Sequence, residues 1–77
     1  MKMSQKERIL DYMDEFGSIS SWEAFRDLGI TRLAARCSDI EADGIVLNRK
    51  REATINRYGE KVYYTRYSVA EREQNNG

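Results

Sequence analysis

Only Gly29, Ile30 and Thr31 separate two stretches of helical periodicity, and so short a join dictates a tight corner between two helices. The sixteen residues from Gly29 to Gly44, GITRLAARCSDIEADG, carry the start, both faces and the stop of the second of these helices. Thr31 offers the hydroxyl expected of an N-cap, which satisfies an orphan N–H of the first turn. Leu33, Cys37 and Ile40 recur at helical spacing and predict a core-facing stripe, with Ala34 beside it. Gly44 suits the left-handed position that ends a helix.

Two earlier segments use the same local grammar. Ser4-Gln5-Lys6-Glu7 is a capping box, in which the Ser4 hydroxyl and the Glu7 carboxylate cap each other's amides. Ile9, Leu10, Met13 and Phe16 then form an apolar stripe flanked by Tyr12, and Gly17 stops the helix. Ser18-Ile19-Ser20 has room only for a brief extended segment with Ile19 turned inward. A second capping box, Ser20-Ser21-Trp22-Glu23, opens a short helix that Gly29 ends. Trp22, Phe25 and Leu28 recur every third residue and predict its packed side, while Ala24 keeps one side thin.

Beyond Gly44 the period changes from helical to alternating. Ile45 and Leu47 share one face of a strand, and Tyr67 and Val69 one face of another. Between them, Asn56-Arg57-Tyr58-Gly59-Glu60 reads as a three-residue loop with Gly59 left-handed and Asn56 paired to Glu60. That register sets Leu47 opposite Val69 and Arg49 opposite Tyr67, so the apolar members of both strands share a side. The expected fold is therefore α+β: three helices, an optional short first strand, and a long hairpin whose base joins the core.

A chain of 77 residues is one small domain, taken here as residues 1–70 with a flexible polar tail over 71–77. About 40% hydrophobic content without proline describes a folded sequence. There is neither an apolar run long enough for a membrane span nor a signal-like leader, so the expected location is cytoplasmic, with no membrane partner. No histidine is present, and Cys37 lies on the inner stripe of its helix. Neither a nucleophile–base pair nor a nitrogen- or thiolate-rich metal site can be assembled from such a set. An enzyme is not expected, and no cofactor or metal is assigned.

The net charge of zero hides an uneven division. Residues 1–48 hold six basic and nine acidic side chains, a net of −3, whereas residues 49–70 hold six basic and two acidic, a net of +4. The hairpin thus gathers Arg49, Lys50, Arg51, Arg57 and Lys61. Concentrated positive charge, rather than a basic total, is what contact with phosphates needs.

The stretch Ser18-Ile19-Ser20-Ser21-Trp22-Glu23-Ala24-Phe25, followed by Asp27-Leu28-Gly29-Ile30-Thr31-Arg32-Leu33-Ala34-Ala35-Arg36, closely resembles small winged helix-turn-helix proteins of bacteriophages and prophages. The similarity continues through Asp39-Ile40 and Asp43-Gly44 to Tyr67-Ser68-Val69. This resemblance implies double-stranded DNA as partner, with helix three in the major groove and the hairpin as a wing along the backbone. It also implies transcriptional regulation or an excisionase-like accessory role. One departure is Glu41-Ala42-Asp43, where such proteins often carry a basic residue. Acidic groups there repel phosphate and leave only the N-terminal half of the helix to enter a groove.

The expected DNA-binding residues are Thr31, Arg32, Ala35 and Arg36 on the helix, with Arg49, Lys50, Arg51, Arg57, Tyr58 and Lys61 on the wing. Arginine at a helix start beside small residues suits a guanine edge or a phosphate. The competing assignment pairs Arg36 with Asp39 or Asp43, and Arg32 with Asp27. Wing cations equally serve as a solvated edge that discourages strand-to-strand association. Trp22, Phe25, Tyr63 and Tyr67 are expected in packing, and Tyr64, opposite Tyr63, as an exposed contact. A domain this small makes few phosphate contacts, so a homodimer or clustered sites is expected. A rival use is a protein-interaction module or inhibitor whose acidic first half faces a basic protein partner.

Overall fold

The computed structural model describes residues 3–70; the tail expected over 71–77 lies outside the described residues. Helix α1 spans Gln5–Phe16, strand β1 Ile19–Ser20, and helix α2 Ser21–Glu23, which continues as a π-helical turn over Ala24–Leu28. Helix α3 covers Leu33–Ala42, and the hairpin strands are β2 (Leu47–Ile55) and β3 (Lys61–Val69). The sheet is antiparallel in the order β1-β3-β2.

Both capping boxes form. Ser4 Oγ accepts from the Glu7 amide and Glu7 Oε1 from the Ser4 amide, and Ser20 and Glu23 repeat the exchange. Gly17 and Gly29 end their helices in the left-handed region, where a Cβ is strained. The hairpin adopts the expected register: Leu47 faces Val69, Arg49 faces Tyr67, and the Asn56 amide donates to the Glu60 carbonyl at 2.9 Å. β1 adds the third strand by pairing Ile19 with Tyr67 and Ser20 with Arg66.

The core gathers Ile9 and Met13 of α1, Ile19, Ala24, Ile30, the stripe Leu33-Cys37-Ile40, and Leu47 with Tyr67 from the hairpin base. Leu10, Tyr12, Leu28 and Ile45 pack against it half-buried. Every main element thus contributes apolar surface to a single interior, as a domain of this size requires.

Several expectations need correction. Thr31 does not cap α3. The Ile30 amide donates to the Ala24 carbonyl at 3.0 Å and the Ile30 side chain is buried, which holds the chain in the turn for two more residues. Arg32 therefore occupies the N-cap position (φ −121°, ψ 57°), and no side chain caps the helix. Ala34 is exposed, because the buried stripe runs through Leu33, Cys37 and Ile40 and leaves its neighbour outside.

The aromatic stripes are also displaced. Trp22 and Phe25 are 64% and 55% exposed, and Phe16 is 62% exposed, its ring set 4.6 Å from that of Tyr12. Fully buried Ala24 is what meets the core. The small side chain allows α2 to approach closely, and the aromatic groups on either side are then left at the surface. On the hairpin, Ile45 precedes β2 rather than belonging to it, and Tyr63 is exposed beneath the Arg51 guanidinium, 4.5 Å from its ring centroid. Tyr64 is half-buried, and its hydroxyl donates to Glu52 Oε1 at 2.9 Å.

Candidate nucleic-acid interface

The start of α3 is an exposed helix end with unsatisfied amides. Uncapped first-turn N–H groups, together with the aligned peptide dipoles, make such an end attractive to anions. Thr31 and Arg32 are exposed beside it, and Arg32 makes no ion pair among the described residues. Asp27, its expected alternative partner, is instead held by Arg26 at 2.8 Å and by the Tyr12 hydroxyl at 2.6 Å. Those contacts, Arg26 first and Tyr12 second, pull the Asp27 carboxyl down to about 2. Ala35 is half-buried in the first turn, so no long side chain blocks that approach.

Arg36 sits differently. Its Nε lies 3.2 Å from Asp39 Oδ2, within ion-pair reach but outside hydrogen-bond geometry, and is buried without a hydrogen-bond partner. Lys6 of α1 donates to Asp43 Oδ2 at 2.6 Å and also lies within the fields of Asp39 and Arg36. The hydrogen bond to Asp43 raises the Lys6 pKa. Arg36 therefore belongs to the charged seam between α3 and α1, the arrangement that competes with a groove contact.

Side-chain alternation divides the wing cations. Arg49, Arg51 and Lys61 share the face on which Leu47 and Tyr67 enter the core, whereas Lys50 lies on the other face with Glu52 and Arg66. Arg57 and Tyr58 occupy the loop between Asn56 and Gly59, with the Tyr58 and Glu60 amides both donating to Asn56 Oδ1. The expected sites are thus not one cluster.

Two arginines prove to be structural ties. Arg49 donates through Nη1 and Nη2 to both carboxylate oxygens of Glu41, at 2.8 and 2.7 Å, and lies 5.3 Å from the Tyr67 ring centroid. The paired guanidinium lowers the Glu41 pKa. On the opposite face, Arg66 donates through Nε to Glu52 and through Nη1 to Glu23 and Ser18. Arg66 and then Tyr64 hold the Glu52 carboxyl below its ordinary range. Sequence reading missed both ties, since their partners lie eight to forty-eight positions away. The one available signal was the expected hairpin register, which puts Arg66 and Glu52 on the same face of neighbouring strands.

Lys50, Arg51, Arg57 and Lys61 make no ion pair among the described residues. Among the described residues, positive charge without an ion-pair partner therefore lies on the middle and tip of the wing, at Arg32, and at Arg8 on α1. Burial pushes the Cys37 thiol up to about 11, and no group of three or more histidine, cysteine or acidic side chains suited to a metal ion occurs among the described residues. Nor, among them, is any helix long and apolar enough to cross a membrane.

No curated protein and no solved structure matches the chain. A family model described as a winged helix-turn-helix domain matches residues 4–72. Domains of that family are typically non-catalytic and bind DNA. With three helices, the tight α2–α3 corner and the β2–β3 hairpin in the matching order, this chain belongs to the winged helix-turn-helix domain family.

Proposed function

We propose that this chain binds double-stranded DNA with the N-terminal half of α3 in the major groove and the wing along the adjacent backbone. One observation carries the reading. Among the described residues Arg32, Lys50, Arg51, Arg57 and Lys61 make no ion pair, Arg8 on α1 being the one other such cation, while Lys6, Arg26, Arg36, Arg49 and Arg66 are all paired. Unneutralised cations on the arm and an uncapped helix end each match a phosphate backbone in charge. In this assignment Arg32 and the α3 amides meet phosphate or a base edge, with Thr31 and Ala35 at close range. Arg51, Arg57, Tyr58 and Lys61 follow the backbone or the minor groove, and Lys50 adds charge from the outer face. Arg49 and Arg36 act through the fold. Their pairing with Glu41 and Asp39 favours that role over direct contact.

A phage or prophage regulator, or an excisionase-like accessory factor, is the biological use that the resemblance of residues 18–36 implies. Two copies on one site, or clustered sites, would compensate for a small footprint. Selection from a random duplex library tests sequence-specific binding, with recovery of a motif expected. Titration of that duplex into the labelled protein should move the amides of residues 31–36 and 57–61. Failure to enrich any motif, with those amides unmoved in low salt, overturns the reading.

A further inference from the structure

A shallow groove of about 530 Å³ follows the seam between α1 and α2. It lies on the flank of α1 that carries the Tyr12–Asp27 bond, away from the Lys6–Asp43 tie to α3. Tyr12, Phe16 and Leu28 form its apolar floor, with Met3 at one end. The exposed Phe16 ring is braced, because it packs on Tyr12, whose hydroxyl is fixed by Asp27. An apolar strip so presented at the surface is a feature of docking sites.

The rim specifies the charge of what docks. Asp11 and Glu15 stand one turn apart on α1 and, like Arg8 at the same rim, make no ion pair among the described residues, so the two carboxylates outnumber the one cation. Asp27, by contrast, is already neutralised by Arg26. Two helices flanking an apolar channel accept a third helix, and the stretch from Arg8 to Phe16 rises about 12 Å, a little over two turns.

We propose that this groove docks a cationic amphipathic helix of a protein partner. Its apolar stripe covers Phe16, Tyr12 and Leu28, and its lysines or arginines meet Asp11 and Glu15. A separate protein suits the groove better than a second copy of this chain. The unpaired wing cations here sit on the surface assigned to DNA, and seating them in a neighbour's groove would withdraw them from it. The groove shares no residue with that surface, so DNA and the helix can be held together.

The test titrates the full chain, isotope-labelled, with a synthetic peptide of about fifteen residues bearing leucine at i, i+3, i+4 and i+7 and lysine elsewhere. A glutamate-for-lysine analogue is the control. The lysine peptide should move amides of residues 8–16 and 27–28 and bind at least about tenfold tighter than the analogue. Phe16→Ser should remove binding while leaving the thermal midpoint and DNA affinity unchanged. Asp11→Lys with Glu15→Lys should reverse the peptide preference. No binding, equal binding of both peptides, shifts on α3 or the wing, or a charge-reversed variant with unreversed preference would each overturn the proposal. Groove amides that shift on dilution of the protein alone would overturn it too, assigning the groove to a second copy. Because DNA affinity is measured separately, loss of the DNA reading leaves this result interpretable.

Discussion

Arg49 on β2 and Glu41 on α3 form a two-pronged ion pair, both guanidinium Nη atoms reaching both carboxylate oxygens at 2.7–2.8 Å. The contact joins the C-terminal half of the helix to the base of the wing, and the Tyr67 ring lies under the same guanidinium. A planar fork fixes orientation as well as distance, which lysine at this position could not do. On the other face Arg66 links the same hairpin to the cap of α2. Between them the two arginines set the angle at which the wing leaves the helices.

This arrangement separates a strut from a phosphate contact. Arg49→Glu should disorient the wing and weaken DNA binding at least about tenfold, by opposing like charges where a pair stood. The exchange Glu41→Arg with Arg49→Glu should restore most of the loss. Residual dipolar couplings of β2 and β3 would return to wild-type values in the double variant only. Failure of the exchange to rescue, with a salt dependence flatter by about one phosphate, would assign Arg49 to DNA instead.

Arg32 and Arg36 should respond unequally. Arg32→Ala is expected to reduce the slope of log affinity against log salt by about one and to leave stability unchanged. Arg36→Ala removes a half-buried side chain from the α3–α1 seam, so its main effect should be a lower unfolding midpoint. Binding titrations at several salt concentrations, beside urea denaturation, distinguish the two. A larger loss of affinity for Arg36→Ala would reverse the assignment.

Acid should weaken the fold through specific carboxylates. Asp27 is held at about 2 by Arg26 and Tyr12, and Glu41 and Glu52 are lowered by Arg49 and Arg66. The unfolded chain takes up protons on these groups at higher pH than the folded one, so stability rises with pH across this range. Their contribution is complete above roughly pH 5 and declines as pH falls toward about 2, where Asp27 protonates in the folded state. Exposure to solvent keeps each share modest. Urea midpoints measured from pH 2 to 6 should show the decline, and Asp27→Asn should flatten it.

Cys37 should be inert in the folded protein. Its side chain is fully buried and its thiol is pushed up to about 11, so the reactive thiolate is scarce at neutral pH. Labelling by an aromatic disulfide reagent should be at least about a hundredfold slower than for a free thiol, and should accelerate with denaturant in step with unfolding. Rapid labelling under native conditions would remove Cys37 from the core.

What could be read from the chain was local. Capping boxes act over three residues, left-handed glycines act at one, and the Asn56–Glu60 loop fixes the register of everything paired beyond it. Hence both helix starts and the Arg49–Tyr67 pairing were visible in advance. Regular spacing misled at Trp22, Phe25 and Phe16 because periodicity marks a shared side without saying what lies against it; at α2 the close approach through Ala24 decided that. The start of α3 shifted past Thr31 because the buried Ile30, a tertiary contact, outweighed the preference for a capping hydroxyl. Of the candidate site, the exposure of Arg32 and the wing-tip cations followed from composition. The capture of Arg36, Arg49 and Arg66 by carboxylates depended on distances that only the assembled fold defines.

The third strand is two residues long and pairs only with Tyr67 and Arg66, so the outer part of the hairpin is a two-stranded ribbon without a core behind it. Its shape depends on backbone pairing and on one turn, with few demands on which side chains it carries. Ala53, Thr54, Val62, Arg57 and Tyr58 can therefore drift in sequence while the body stays intact, provided that Asn56 and Gly59 keep the turn. Such a molecule can acquire a new target by editing the ribbon alone, and the interior would register almost nothing of the change.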